Sequence, residues 1–235
     1  DAAAAAAMAT GEYVKRLEKG EMKNIITTAC PSIVNLIEIH YPELIDDLAP
    51  VLIPSGIHTR MLKEEYGEEA RIVFAGPCIA EKEKMRAVRP DAVLTFEELK
   101  EWLEDEGITI NECEDTGFDE RHLGANLRYP ISGGLLTSVE ATKKGHDKYR
   151  KFYVSGVKDC LDVCEAMTTG EVEGCFIEMN ACHGGCINGP ATAATVSSFK
   201  VKLDLEEMLP KEAADLSFLN ENARKVPIAR TFKNR

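Results

Sequence analysis

The chain has 235 residues, 44% of them hydrophobic and 29% charged, with a net charge of −12. That length allows one large domain or two small lobes around a real core, and the acidic balance argues against nucleic acid as the main partner, since phosphate binding needs a basic surface. No run approaches the length of a transmembrane helix, and the alanine-rich start has neither a basic n-region nor a leucine-rich h-region. A cytoplasmic protein is expected. Because the chain opens on Asp1 rather than Met, it reads as a fragment or a processed chain, forming one domain over 1–235.

In chain order, the alanine run continues through Glu12–Lys19 as a helix that Gly20 ends. Asn24–Thr28 is short and β-branched, a buried strand running into Ala29-Cys30-Pro31, and Pro31 suits the first turn of a helix over Ser32–Tyr41. Pro42 and Pro50 interrupt the stretch after that helix. A helix is expected over Ser55–Tyr66, with Ser55 as its N-cap. Arg71–Ala75 reads as a strand delivering Gly76-Pro77-Cys78, and Ala87–Leu94 holds another. Thr95-Phe96-Glu97-Glu98 opens a capping-box helix through Glu106. Asn111–Asn126 is an acidic, irregular loop. Ser132-Gly133-Gly134 introduces a helix over Leu135–Lys144; Phe152–Val157 is a strand, Lys158–Thr169 a helix and Val172–Ile177 a strand. The tail carries an acidic helix over Leu203–Met208 and a basic end.

Alternating short strands and helices indicate an α/β fold with parallel sheets flanked by helices. Three of the strands run directly into a cysteine: Ile25-Ile26 into Cys30, Val73-Phe74 into Cys78, and Phe176-Ile177 into Cys182, with Cys186 four residues further on. Ligands of open parallel sheets sit beyond the carboxyl ends of the strands. Four thiolates brought together there would form a Cys₄ site. Structural zinc more often uses two close cysteine pairs in one compact knuckle, so ligands this scattered suit a buried iron–sulfur cubane better.

The other four cysteines have plainer explanations. Cys160 and Cys164 lie i,i+4 on one helix and are expected in the core, as is Cys175 within its strand; Cys113 sits in the acidic loop. His183, between two ligand candidates, is a candidate for cluster or proton-path contact. His40, His58, His122 and His146 lack any partner pattern.

Thr27-Thr28-Ala29-Cys30-Pro31, Gly76-Pro77-Cys78-Ile79-Ala80-Glu81-Lys82 and Glu178-Met179-Asn180-Ala181-Cys182-His183-Gly184-Gly185-Cys186 stand in the order and approximate spacing of the three signatures of [FeFe]-hydrogenase catalytic domains. His40–Leu44 and Ser132–Gly134 resemble connecting segments of that family. The resemblance implies two lobes enclosing an H-cluster, a [4Fe-4S] cubane bridged by a cysteine to a two-iron centre carrying CO, CN⁻ and a dithiolate. By motif position Cys30, Cys78, Cys182 and Cys186 would hold the cubane, with Cys186 as the bridge.

The departures from the family pattern bear on function. The proton-passing cysteine before the first ligand is Ala29 here; a serine and a glutamate further along the same path are replaced by Ala49 and Ala9, while Glu12 keeps a second acidic position. The lysine that hydrogen-bonds a cyanide ligand is replaced by Glu81, with Lys82 next to it as a substitute by a one-residue shift. Asn180 and Gly76 replace two methionines. Ala29, Glu81, Lys82 and Asn180 are therefore the candidate residues around the two-iron centre. A cut relay with intact cluster cysteines resembles the sensory branch of the family. The expectation is a domain that binds or slowly splits H₂ and reports H₂ or redox state to a signalling domain, alongside a redox partner or ferredoxin-like domain and the hydrogenase maturation proteins. Two alternatives stand beside it: an active hydrogenase with a different proton path, and a non-catalytic [4Fe-4S] hydrogenase-like protein.

Overall fold

The computed structural model describes residues 2–85, 88, 90–114, 116, 124–144, 148–192, 197–208 and 226–232. Its larger lobe is built on β5 (Cys175–Asn180), which pairs in parallel with β1 (Ile25–Ile26) on one side and β4 (Arg150–Ser155) on the other. All six residues of β5 are buried, as expected for a central strand covered by helices on both faces. Strand alternation splits its side chains. Cys175, Ile177 and Met179 pack with α2 (Pro31–His40) and α7 (Val157–Thr168), whereas Phe176 joins α1 (Ala3–Lys19), α3 (Pro54–Tyr66) and α6 (Gly134–Ala141) on the other face.

Helix α1 buries every residue from Ala3 to Thr10. Alanine side chains let neighbouring helices approach closely, so the alanine run is an interior packing surface as well as the front of a helix. Tyr13 of α1 meets Phe176 edge-on, with ring centroids 6.0 Å apart. Gly20 ends α1 in the left-handed conformation, its N–H donating to Arg16 O.

The smaller lobe pairs β2 (Val73–Gly76) in parallel with β3 (Ala92–Thr95), flanked by α4 (Ile79–Met85) and α5 (Phe96–Asp105). The expected capping box is present: Thr95 Oγ1 accepts from the Glu98 N–H at 3.1 Å, and Glu98 Oε2 accepts from the Thr95 N–H at 2.8 Å.

Several expectations need correcting. The cap of α3 is Ile53, with no side-chain bond, because Pro54 takes the first helical position; Ser55 lies inside the helix and its hydroxyl bonds Glu81. The seven-residue α4 has no counterpart among the expected elements, its Glu/Lys-rich stretch having no apolar period. Strand β5 begins three residues later than the run of apolar residues suggests, after Gly174 at φ +67 turns the chain into the sheet. Strand β3 starts at Ala92, and α8 (Ser198–Met208) is longer than expected. The acidic loop has 3₁₀ turns at its described ends, Ile110–Glu112 and Gly124–Arg128; its middle lies outside the described residues, as do His122 and His146.

Buried Glu178 joins the lobe's central strand to α6. Its carboxylate accepts from the Gly133 N–H at 2.9 Å and the Leu136 N–H at 2.8 Å, at the positive end of that helix. Burial outweighs these bonds and pushes Glu178 up to about 7 from an ordinary 4.5. The folded chain therefore binds more protons than the unfolded chain between those values, and stability falls as pH rises through the window. Denaturant titrations at pH 4.5 and pH 7.5 should show Glu178→Gln reducing the loss of stability between them by roughly 3 kcal/mol.

Candidate metal centre

Each of the three strand-end cysteines follows its strand within four residues. Cys30 is the N-cap of α2, with Pro31 at the first helical position. Cys78 comes two residues after β2 and immediately before α4, and the Glu81 N–H donates to its Sγ at 3.4 Å. Cys182 comes two residues after β5, and Cys186 opens a short 3₁₀ turn, Cys186–Asn188.

The glycines between the last two cysteines are required by a close backbone approach. Gly184 and Gly185 have φ of +80 and +101, and a Cβ on Gly185 would lie 2.5 Å from both Pro130 O and Ser132 N. The turn is pinned there by Ser132 N–H to Gly184 O at 3.1 Å and Ile187 N–H to Pro130 O at 3.2 Å. Segment 130–132, with its Ser-Gly-Gly continuation, is thus the seat of the cysteine turn.

Electrostatics places the four thiols around one another. Burial pushes Cys186 well up, and the charges of Cys30, Glu81, Cys78 and Cys182 each push it further. Burial raises Cys78 to about 11, with Glu81 and Cys30 adding to it, and burial followed by Cys30 raises Cys182. Thiols in this arrangement hold their protons; four thiolates together require a cation to offset them. Among the described residues, no three His, Cys, Asp or Glu side chains stand close enough for a single metal ion.

Beside Cys186 lies a cavity of about 250 Å³ between the lobes. Ala3, Ala6, Ala29 and Asn180 border it from the larger lobe, and Phe74, Gly76, Pro77 and Glu81 from the smaller. Ser55 and Tyr129 also line it. Asn180 is 6% exposed and its Oδ1 has no hydrogen-bond partner among the described residues, an orphaned acceptor at the cavity wall. Such an atom is costly to bury unless a guest supplies a donor, or, with the amide turned over, an acceptor. Burial raises Glu81, partly offset by its bond with Ser55. This favours the protonated acid, which can donate a hydrogen bond where the carboxylate cannot. A small polar group attached through Cys186 therefore fits the wall that is present. A larger cleft of about 530 Å³, lined by Glu38, Arg60, Lys84 and Arg230, contains no cysteine.

Of the candidates around the two-iron centre, Ala29, Glu81 and Asn180 meet on this cavity. Lys82 does not: its ammonium bonds the Glu98 carboxylate at 2.7 Å, because position 82 of α4 faces α5 rather than the cavity. Ala9 and Ala49 are fully enclosed, at 1% and 0% exposure. Glu12 pairs with Arg16 at 3.1 Å and Lys15 at 3.3 Å. His183 is exposed, its Nδ1 3.5 Å from Ser155 O, and does not border the cavity. Cys160, Cys164 and Cys175 are core residues, and burial raises the first two to about 12 and about 11. Cys113 is exposed. Sequence reasoning misses the place of Ser55 at the cavity, although Pro54 carries the signal that moves the cap to Ile53. Tyr129 has no local signal; its hydroxyl lies 2.8 Å from Thr10 Oγ1, a partner 119 residues away.

Residues 1–190 match the family described as iron only hydrogenase large subunit, C-terminal domain. The chain belongs to this family. It is 26% identical over 227 residues to Iron hydrogenase 1 of Clostridium pasteurianum, covering 76% of this chain and 39% of that protein. The hydrogenase domain described here thus spans about two fifths of the length of that relative. Two variant structures of [FeFe]-hydrogenase HydA1 from Chlamydomonas reinhardtii share its fold, with TM-scores of 0.73 and 0.71, identities of 17% and 18%, and coverage of 95% of this chain and 77% of theirs. A structure of HydA(deltaEFG), which concerns stepwise H-cluster assembly, matches with a TM-score of 0.71 at 18% identity over 95% of this chain and 76% of that one. Iron hydrogenases of the family bind the H-cluster, a [4Fe-4S] cubane with a two-iron centre.

Reconstitution with iron and sulfide should load about four irons and four sulfides per chain. Cys30→Ala, Cys78→Ala and Cys182→Ala should each abolish or strongly reduce that content in metal and acid-labile sulfide assays. Cys164→Ala should retain it.

Proposed function

We propose that this domain binds an H-cluster through Cys30, Cys78, Cys182 and Cys186, with Cys186 bridging to a two-iron centre in the neighbouring cavity, and that it binds or slowly splits H₂ and reports H₂ or redox state to a signalling partner. When bound, the H-cluster supplies reversible H₂ chemistry, exchanging H₂ with two protons and two electrons. The protein's own part is to hold the cubane by four thiolates, enclose the cavity between lobes and control proton delivery.

The observation that carries the slow-turnover reading is the run of Ala29, Ala49 and Ala9 along the family's relay positions. Ala29 lines the cavity and the other two are buried, and their methyl side chains can neither accept nor donate a proton. General acid–base steps typically contribute about 10²–10⁴-fold, and a site without them trades turnover for occupancy. Asn180 and Glu81 offer polar contacts to a cavity guest, which supports retention of a bound state over rapid exchange. Electrons would pass between the cubane and a redox partner or ferredoxin-like domain in the cytoplasm, and the maturation proteins would install the two-iron centre.

A second reading, an active hydrogenase with a different proton path, is favoured by one feature. Tyr129 lines the cavity and meets Thr10, whose hydroxyl also bonds Asn126 Oδ1 at 3.1 Å, making a short chain of hydroxyl and amide groups.

Protein matured under anaerobic conditions should show infrared CO and CN⁻ bands and low catalytic current in film electrochemistry. Ala29→Cys should raise that current by about 10²-fold or more. Unmodified protein turning over at the rate of efficient family members would sink the sensing proposal, and loss of its current in Tyr129→Phe would point to the second path. Absence of CO and CN⁻ bands after full maturation would instead favour a non-catalytic [4Fe-4S] protein.

A further inference from the structure

Helix α5 has a clear amphipathic pattern, yet none of its residues is fully buried. At 100° per residue, Phe96, Leu99, Trp102 and Leu103 fall within about one third of the helix circumference, an apolar stripe of the width that normally faces a core. Leu99 and Leu103 are half-buried, but Phe96 is 39% and Trp102 49% exposed. Just beyond the helix the Ile108 N–H returns to Leu103 O at 2.8 Å, and Ile108 and Ile110 add two more exposed aliphatic side chains.

The segment that carries this patch is strongly one-signed. Residues 96–114 hold eight carboxylates and a single lysine, Lys100, so seven of the chain's twelve net negative charges lie in nineteen residues. Of these acids, Glu98 is engaged by Lys82 and Glu104 by Lys100 at 3.7 Å. Glu97, Glu101, Asp105, Glu106, Glu112 and Glu114 are exposed. On α5, Glu97, Glu101 and Glu104 fall on the face opposite the stripe, while Asp105 and Glu106, three and four positions after Trp102, are its neighbours on the helix surface. Exposed apolar area rimmed by charge marks an interaction surface, and complementary charge selects the partner.

We propose that α5 and the Ile108–Ile110 segment form a docking surface for a basic segment of another protein, an amphipathic stretch whose apolar side chains cover Trp102 and Ile108 while its lysines or arginines meet the acidic rim. Such a partner seats a helix against an apolar stripe, with association rate and salt dependence governed by the rim. It would sit next to α4, because Lys82 ties α4 to Glu98 of α5, and α4 also carries Glu81 of the cavity wall. The proposal does not depend on whether the cavity holds a two-iron centre, so its failure and the failure of the functional reading are separate results.

Trp102 is the only tryptophan in the chain, so its emission reports occupancy of this patch directly. The probe is a synthetic 18-residue amphipathic peptide of leucine and lysine, with a counterpart carrying glutamate at every lysine position, titrated into the folded protein. The lysine peptide should shift Trp102 emission to shorter wavelength and saturate. Affinity should fall by about tenfold or more as the ionic strength is raised from roughly 0.05 M to 0.5 M. Asp105→Lys/Glu106→Lys/Glu112→Lys should weaken it at least tenfold while retaining the circular dichroism spectrum. Glu64→Lys/Glu65→Lys/Glu68→Lys, which reverses another exposed acidic cluster, should leave it unchanged. The proposal is overturned by an equal response to the glutamate peptide, by no emission change with the lysine peptide, or by equal weakening in both charge-reversed variants. It is also overturned if sedimentation shows a dimer whose formation alone shifts Trp102, since the occupant would then be a second copy.

Discussion

Four thiols that feel one another's charge cannot all be ionised without a compensating cation, and the strand ends that carry them are arranged around that constraint. Cys186 feels the charge of Cys30, Cys78 and Cys182 as well as that of Glu81. In such an environment burial and like charge both favour the protonated thiol. The chain brings together groups that oppose one another electrostatically, at strand ends drawn from three separate segments. A cluster of irons would supply the missing positive charge, which makes metal loading and the order of the surrounding loops parts of one equilibrium.

Strand β5 transmits that constraint outward. Its odd positions fill the core beside α2 and α7, while Phe176 faces α1 and Glu178 binds the N-terminus of α6. The next residue on that second face is Asn180, at the cavity. One strand thus fixes the sheet, anchors the helix following the Ser-Gly-Gly segment, and aims an unsatisfied amide at the space between lobes. The Gly184-Gly185 turn completes the arrangement by resting on segment 130–132, where a side chain would collide with backbone.

Much of this was legible in the residues. The three strand-to-cysteine runs, the capping box at Thr95 and Glu98, and the Pro31 helix start all follow from local chemistry, and they occur in the structure. The family signatures around Cys30, Cys78, Cys182 and Cys186 are also local, because each set of residues lies within one short turn. Other features escaped for physical reasons. Helix α4 has too few apolar residues to show a period, Ser55 spends its hydroxyl on a residue 26 positions away, and the alanine run of α1 gives no hint of which neighbours it packs between.

The sequence by itself determined the parallel α/β layering, the placing of cysteines at strand ends and the methyl side chains at Ala9, Ala29 and Ala49, since these depend on residue type and short-range order. Only the tertiary structure decided which way the neighbours point. Lys82 turns to Glu98 while Glu81, one residue earlier, lines the cavity beside Ser55, because adjacent positions on a helix face directions about 100° apart. The exposure of Trp102 was likewise a matter of what packs on α5, a question that residue identity alone does not answer.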